Sequence, residues 1–244
     1  RQGMKLMAEQ FVMGRTIAEA LERSRSGPQK PFRHSFDMLG EAAFTEADAK
    51  RYRVAYERAI DAIAQSAGAQ GTVFDRPGIS IKLSALHPRY DFANRERVLA
   101  ELLPRVQSLA ERARRGNIGI TLDAEEAVRL DLSLDLVERV FASPAMAGWE
   151  GFGLAVQAYQ KRSLFVVDWL AALARSHGRR LMVRLVKGAY WDTEVKRAQA
   201  GGMAGYPVFT RKCNTDVSYL ACAARMLAAP EAFYPQFATH NAHT

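Results

Sequence analysis

Apolar residues are spaced along this chain in two alternating rhythms. Short runs of strand length, rich in Ile, Val, Leu and Phe, are followed by longer segments in which apolar residues recur every three or four positions, as on a helix with one buried face. Residues 4 to 25 form the first helical segment, with Leu6, Met7, Phe11, Ile17 and Leu21, a break at Gly14 and an end at Ser26-Gly27-Pro28. A short strand over Arg33–Glu41 comes next. Thr45-Glu-Ala-Asp48 has capping-box spacing and opens a helix to about Gly68 that buries Val54, Ile60 and Ile63.

The alternation then repeats. Ile79–Leu86 reads as a strand and precedes a helix from Asn94, with Val98, Leu102, Val106 and Leu109 on one face, a bend at Pro104 and a stop at Gly116-Asn117. Ile118–Glu125 leads into a helix at 131 to 142, and Gly151–Tyr159 into one at 164 to 176. The stretch Arg179–Asp192 is a buried strand interrupted at Arg184 and closed by a Lys-Gly-Ala-Tyr-Trp turn. Helices at 193 to 200 and 215 to 228 follow it, the second capped by Asn214 or Thr215, and Phe233–Asn241 supplies a sixth strand.

Strict alternation of strand and helix implies an α/β protein with a parallel sheet and right-handed crossovers. No Gly-x-Gly-x-x-Gly turn follows a strand, which argues against a dinucleotide-binding doubly wound sheet and for a (β/α)8 TIM-like barrel. Polar residues recur at the predicted C-terminal strand ends: Asp37 and Glu41, Lys82, Asp123 and Glu125, Gln157, Arg184 and Lys187, Thr239 and His240. In a barrel these converge on one mouth. A complete barrel has eight strands, so the sequence is expected to lack about two βα units. The 244 residues are expected to form one domain, residues 1–30 being its N-terminal helix.

Composition narrows the partners. A hydrophobic share of 48% and a charged share of 25% are those of an ordinary globular domain, and no apolar run reaches membrane-spanning length. The start resembles no secretory signal, so a cytoplasmic protein is expected. Cys213 and Cys222 are nine residues apart, on opposite faces of a helix, and cannot bridge. The net charge of +8 comes from arginines spread over several helices and mixed with acids, not from one basic stripe, so no nucleic acid is expected to bind this segment.

The candidate chemistry lies at the strand ends. Lys82 is open to three roles: Schiff-base nucleophile, anion anchor, or ion-pair partner of Asp123. Asp123 suits a general base, a metal ligand or a carboxylate that positions a cation, but no cluster completes a metal set and no metal is expected. Gln157 offers a donor and an acceptor to the imide edge of a flavin or base, or is a satisfied strand-end amide. Arg184 places positive charge beside an electron-accepting ring, or pairs with Asp123 alone. Lys187-Gly188-Ala189 lets backbone approach a phosphate, Tyr190 and Trp191 wall a ligand, and His240 donates to a phosphate or a ribityl oxygen. Together these describe a phosphate-bearing organic cofactor across a barrel mouth. Two other readings stay open: an aldolase-type barrel using Lys82 or Lys187, and a non-catalytic barrel fragment or scaffold.

Several motifs resemble one family in order along nearly the whole chain: Ile-Lys-Leu-Ser-Ala-Leu-His-Pro-Arg-Tyr (81 to 90), Leu-Asp-Ala-Glu-Glu (122 to 126), Val-Gln-Ala-Tyr-Gln-Lys-Arg (156 to 162), Arg-Leu-Val-Lys-Gly-Ala-Tyr-Trp-Asp (184 to 192), Gly-Tyr-Pro-Val-Phe-Thr-Arg-Lys (205 to 212) and Gln-Phe-Ala-Thr-His-Asn-Ala-His (236 to 243). They are similar to the proline dehydrogenase domain of the bifunctional proline utilization A flavoenzymes. The resemblance implies a distorted β/α barrel that binds FAD, takes a hydride from the ring carbon beside the nitrogen of L-proline, and gives Δ1-pyrroline-5-carboxylate in the first step of proline catabolism to glutamate. It also implies a membrane quinone as final acceptor, reached by peripheral contact, and an aldehyde dehydrogenase domain in the full-length protein. Carried over by position, Asp123 and Arg184 are catalytic, Lys82 and Tyr190 bind proline, and Ala124, Gln157, Arg184, Lys187, Gly188, Ala189, Thr239 and His240 hold FAD. The family's late helix, whose arginine pair clamps the proline carboxylate, is expected beyond Thr244.

Overall fold

The structure is a computed structural model that describes residues 12–38, 42–68 and 70–241. Its elements in chain order are α1 (Ile17–Ser24), β1 (Ser35–Asp37), α2 (Glu46–Ser66), β2 (Gly78–Ile81), α3 (Arg95–Arg115), β3 (Gly119–Leu122), α4 (Leu130–Ala142), β4 (Phe152–Gln157), α5 (Ser163–Ser176), β5 (Leu181–Val186), α6 (Trp191–Ala200), α7 (Lys212–Leu227) and β6 (Phe233–Phe237). The six strands lie in sequence order in one sheet, every neighbouring pair parallel. This is half of a β/α barrel wall, with the helices packed on its convex side.

Strand side chains alternate between the two faces. Ile79 and Ile81, Ile120 and Leu122, Phe152, Leu154 and Val156, Val183 and Leu185, and Phe233 are buried in one core with the helices. The intervening positions face the concave side and are mostly small or polar. There Ser35, Gly78, Gly119, Thr121, Met182, Arg184, Tyr234 and Gln236 line a cleft of about 270 Å³. Phe74 stacks on Tyr234 at one edge of that cleft, with ring centroids 4.2 Å apart.

Most predicted elements are present, with corrections at their ends. The first helix starts at Ile17, where the Thr16 hydroxyl accepts the Glu19 N–H at 3.2 Å; of the predicted span, residues 4–11, with Leu6, Met7 and Phe11, lie outside the described residues. Gly14 allows the chain to close onto that start, since a Cβ there would stand 2.6 Å from the Ala20 nitrogen. Thr45 and Asp48 form the predicted capping box. The strand predicted over Ile79–Leu86 ends at Ile81, because Leu83–Ala85 coils into a 3-10 turn that turns Ser84 inward. β3 and β6 likewise stop at Leu122 and Phe237, short of Glu125 and Asn241. The helix expected from Thr215 begins at Lys212, because Thr215 is buried inside it rather than capping it, and Lys212 pairs with Asp216 one turn on. α3 runs through Pro104. Cys213 is exposed, Cys222 is buried, and both are free.

Arg179 closes the end of the barrel opposite the polar strand ends. It is buried and donates to the carbonyl oxygens of Phe141, Met146 and Trp149, with its guanidinium 3.9 Å from the Phe141 ring centroid. Phe141 belongs to the last turn of α4, whose carbonyls have no partner within the helix. Burial pulls the pKa of Arg179 down, and no carboxylate pairs with it among the described residues. Arg179→Met should therefore lower unfolding stability by about 2 to 4 kcal/mol, measured by urea denaturation, as buried carbonyls lose their donors.

Candidate active site

Lys82 and Asp123 are the first residues past the ends of β2 and β3, and Asp37 is the last residue of β1. The parallel register brings all three to the same end of the sheet. Lys82 Nζ lies 3.1 Å from both carboxylate oxygens of Asp37 and 3.0 Å from Asp123 Oδ2. Arg184 reaches the same group from β5: its Nη1 donates to Ser80 Oγ at 2.7 Å, its Nη2 to Ser35 Oγ at 2.7 Å, and Nη1 stands 3.6 Å from Asp123 Oδ1. Two cations and two carboxylates thus form one chain, Asp37–Lys82–Asp123–Arg184. Lys82, Asp123 and Arg184 are mostly buried, while the Asp37 side chain is 46% exposed.

Environment sets the charges. Burial pulls Lys82 down, but the carboxylates of Asp123 and Asp37 outweigh it and hold the ammonium above its usual range. Burial pushes the Asp123 carboxyl up and the like charge of Asp37 adds to that; Lys82 and Arg184 offset only part. An ammonium held by two carboxylates suits ion pairing and anion exchange better than the free amine a Schiff-base nucleophile requires. The Tyr56 hydroxyl, from α2, accepts the Lys82 backbone N–H at 3.2 Å, and burial pushes this phenol up to about 12.

A second group of contacts joins the loop after β3 to the turn after β5. Gln157 donates from Nε2 to the Glu125 carbonyl at 2.8 Å and accepts the Ala189 N–H on Oε1 at 3.2 Å. Both ends of its amide are engaged, and the residue is buried. Glu125 accepts the Ser84 N–H at 2.9 Å and pairs with Arg129. Gly188 has φ +145°, and a Cβ there would stand 2.4 Å from the Tyr159 ring, so the turn lies directly on that ring. The Tyr159 N–H donates to the Lys187 carbonyl at 2.7 Å.

The expected site residues fall into three places. Lys82, Asp123 and Arg184 touch. Ala124 follows Asp123 in the loop that Gln157 ties to Ala189, with Gly188 and Tyr190 in the turn opposite; burial, then Glu125 and Glu126, push the Tyr190 phenol up. Lys187 leans outward, 2.8 Å from Asp216 on α7 and 5.8 Å from the Tyr219 ring centroid. Thr239 and His240 lie exposed beyond β6, where Thr239 Oγ1 accepts the Asn241 N–H at 3.0 Å. Glu41 lies outside the described residues. Among the described residues no cluster of His, Cys, Asp and Glu is arranged to hold a metal ion. Sequence reasoning left Asp37 and Glu125 without a role although it placed both at strand ends, and it missed Tyr56, which helical periodicity treats as an ordinary position.

A sequence model of proline dehydrogenase matches residues 20–244. The chain belongs to the proline dehydrogenase family. It is 60% identical to the bifunctional protein PutA of Klebsiella aerogenes over 241 residues, which are 99% of this chain and 18% of that protein. It is 27% identical to the proline dehydrogenase of Deinococcus radiodurans, covering 67% of it. Among solved structures, the proline utilization A of Bdellovibrio bacteriovorus superimposes with a TM-score of 0.92 at 28% identity, over 98% of this chain and 26% of that one. A Bradyrhizobium japonicum PutA variant gives 0.89 at 58% identity, over 99% of this chain and 24% of that one. The chain therefore spans about a fifth of the length of its bifunctional relatives.

The Gly188 contact gives a direct test in this proline dehydrogenase family member. Gly188→Ala should displace the Lys187–Tyr190 turn and lower stability by roughly 1 to 3 kcal/mol, through the strained φ and the clash with Tyr159. Thermal unfolding measures it.

Proposed function

We propose that this chain oxidises L-proline to Δ1-pyrroline-5-carboxylate with FAD as hydride acceptor. The observation that carries the reading is the juxtaposition of Lys82, Asp123 and Arg184 at one mouth, beside the Gly188 turn. The residues there fit the cofactor. Arg184 is held by two neutral hydroxyls and only approached by a carboxylate, so its charge remains to act on an electron-accepting ring. Exposed Gly188 and Ala189 present backbone without bulky side chains, as a phosphate-bearing group needs. Arg184, Ala124, Gln157, Lys187, Gly188, Ala189, Thr239 and His240 would hold FAD, which supplies a two-electron acceptor when bound.

The protein's own residues then divide the work. Lys82 anchors the proline carboxylate; to do so it gives up Asp37, the more exposed of its two carboxylate partners, and keeps Asp123. Tyr190 lines the pocket. Loss of hydride leaves a cationic imine, and the Asp123 carboxylate stabilises that charge as it develops. The nitrogen lone pair forms the C=N bond as the hydride leaves, and the cationic imine then gives its N–H proton to solvent, leaving neutral Δ1-pyrroline-5-carboxylate. A membrane quinone is the acceptor that follows, reached from the cytoplasmic side by peripheral contact, and an aldehyde dehydrogenase domain accompanies this one in the whole protein. No helix among the described residues is long and apolar enough to cross a membrane.

Purified protein reconstituted with FAD and mixed anaerobically with L-proline tests the reading. Bleaching of the flavin band supports it, and retained colour, or no flavin uptake, refutes it. Lys82→Ala should raise the proline concentration needed by roughly ten- to a hundredfold with the flavin spectrum unchanged. Arg184→Met should weaken FAD retention or slow flavin reduction by about tenfold or more.

A further inference from the structure

α6 opens with two acidic residues, Asp192 and Glu194, where negative charge suits the helix dipole. Asp192 is exposed, as a dipole-compensating residue usually is. Glu194 is only 1% exposed, and its Oε1 accepts the backbone N–H of Ala127, 67 residues away in sequence, at 2.6 Å. No cation pairs with it among the described residues. Burying a carboxylate without a cation costs free energy that a surface position would avoid, so the contact calls for a reason.

The reason lies in what each end of the bond carries. Ala127 opens the 3-10 turn Ala127–Arg129, directly after Asp123-Ala124-Glu125-Glu126. Glu194 follows Lys187–Tyr190 by one helical turn, and its N–H donates to the Tyr190 carbonyl at 2.9 Å. Gln157 also spans these segments, tying Glu125 to Ala189. Tyr159 is buried under Gly188, and burial, followed by the Glu194 charge, pushes its phenol up.

We propose that Glu194 is a positioning residue: by holding the Ala127 amide it locks the loop that carries Asp123 and Ala124 against the turn that carries Lys187–Tyr190. The two sides of the site are thereby fixed relative to each other, Asp123 on one and the Gly188 cradle on the other. The lock rests on the proline-oxidising reading only for its effect on that chemistry, and the bond itself is measurable without substrate or cofactor.

Amide hydrogen exchange by mass spectrometry reads it directly. Glu194→Ala should speed exchange in residues 124–129 by about tenfold while the buried amides of α3 keep their protection. Glu194→Gln, which keeps an oxygen for the Ala127 N–H, should restore most of that protection. Ala127→Pro removes the donor from the other side; Glu126, at φ −61° and ψ 151°, already has the backbone that precedes proline, and the first position of a helical turn tolerates it. In the Ala127→Pro background, Glu194→Ala should add no further loosening. With FAD and proline, Glu194→Ala should slow flavin reduction by about tenfold, with recovery in Glu194→Gln. Unchanged exchange at 124–129 in Glu194→Ala, or full loosening by it in the Ala127→Pro background, overturns the proposal. If the parent protein reduces no flavin with proline while the exchange pattern holds, the lock stands and the functional reading alone fails.

Discussion

The ion pair between Lys82 and Asp123 is the constraint on which the mouth of this barrel depends. Both residues stand where a parallel strand ends, in a setting too buried for either charge to rest alone. Each is therefore tied to a second charge: Lys82 to Asp37 on one side, Asp123 to Arg184 on the other. Charges of opposite sign alternate along four strands, which lets a half-buried polar surface exist on the concave face of a sheet whose convex face is apolar. The cancellation is also adjustable. In the proposed reaction Lys82 exchanges its exposed partner Asp37 for the incoming proline carboxylate and leaves the more buried pair intact.

Around this chain of charges the barrel uses neutral hydrogen bonds to set distance. Gln157 carries no charge and spends both ends of its amide on backbone, and Gly188 is packed on an aromatic ring. Such contacts cost little desolvation compared with ion pairs and have narrow geometry. In the proposed reaction the charged residues supply the chemistry, while amide and ring contacts set where the loops that carry them stand.

The sequence made much of this legible for a simple reason. Strands such as Gly78-Ile-Ser-Ile81 and Phe152-Gly-Leu-Ala-Val-Gln157 keep apolar residues toward the helices, so a charge or amide at or just past the last position marks both the strand end and the mouth. That logic alone places Lys82, Asp123, Gln157 and Arg184 at the mouth. It did not find the end of β2, because Leu83-Ser84-Ala85 keeps the alternation of a strand while it coils. Glu194 was hidden for the opposite reason: an acid in the first turn of a helix is ordinary in sequence, and only its burial against a distant amide sets it apart. Thr215 was misread as a cap because a threonine at a helix start and one buried a turn inside it look the same.

The central claim is that the charges at the mouth act as one unit rather than as separate surface pairs. A double-mutant cycle on unfolding free energy with Lys82→Met and Asp123→Asn tests it most directly. The account predicts a coupling of roughly 1 to 3 kcal/mol, with the double variant less destabilised than the sum of the two single ones. Additive effects, with coupling near zero, would contradict it.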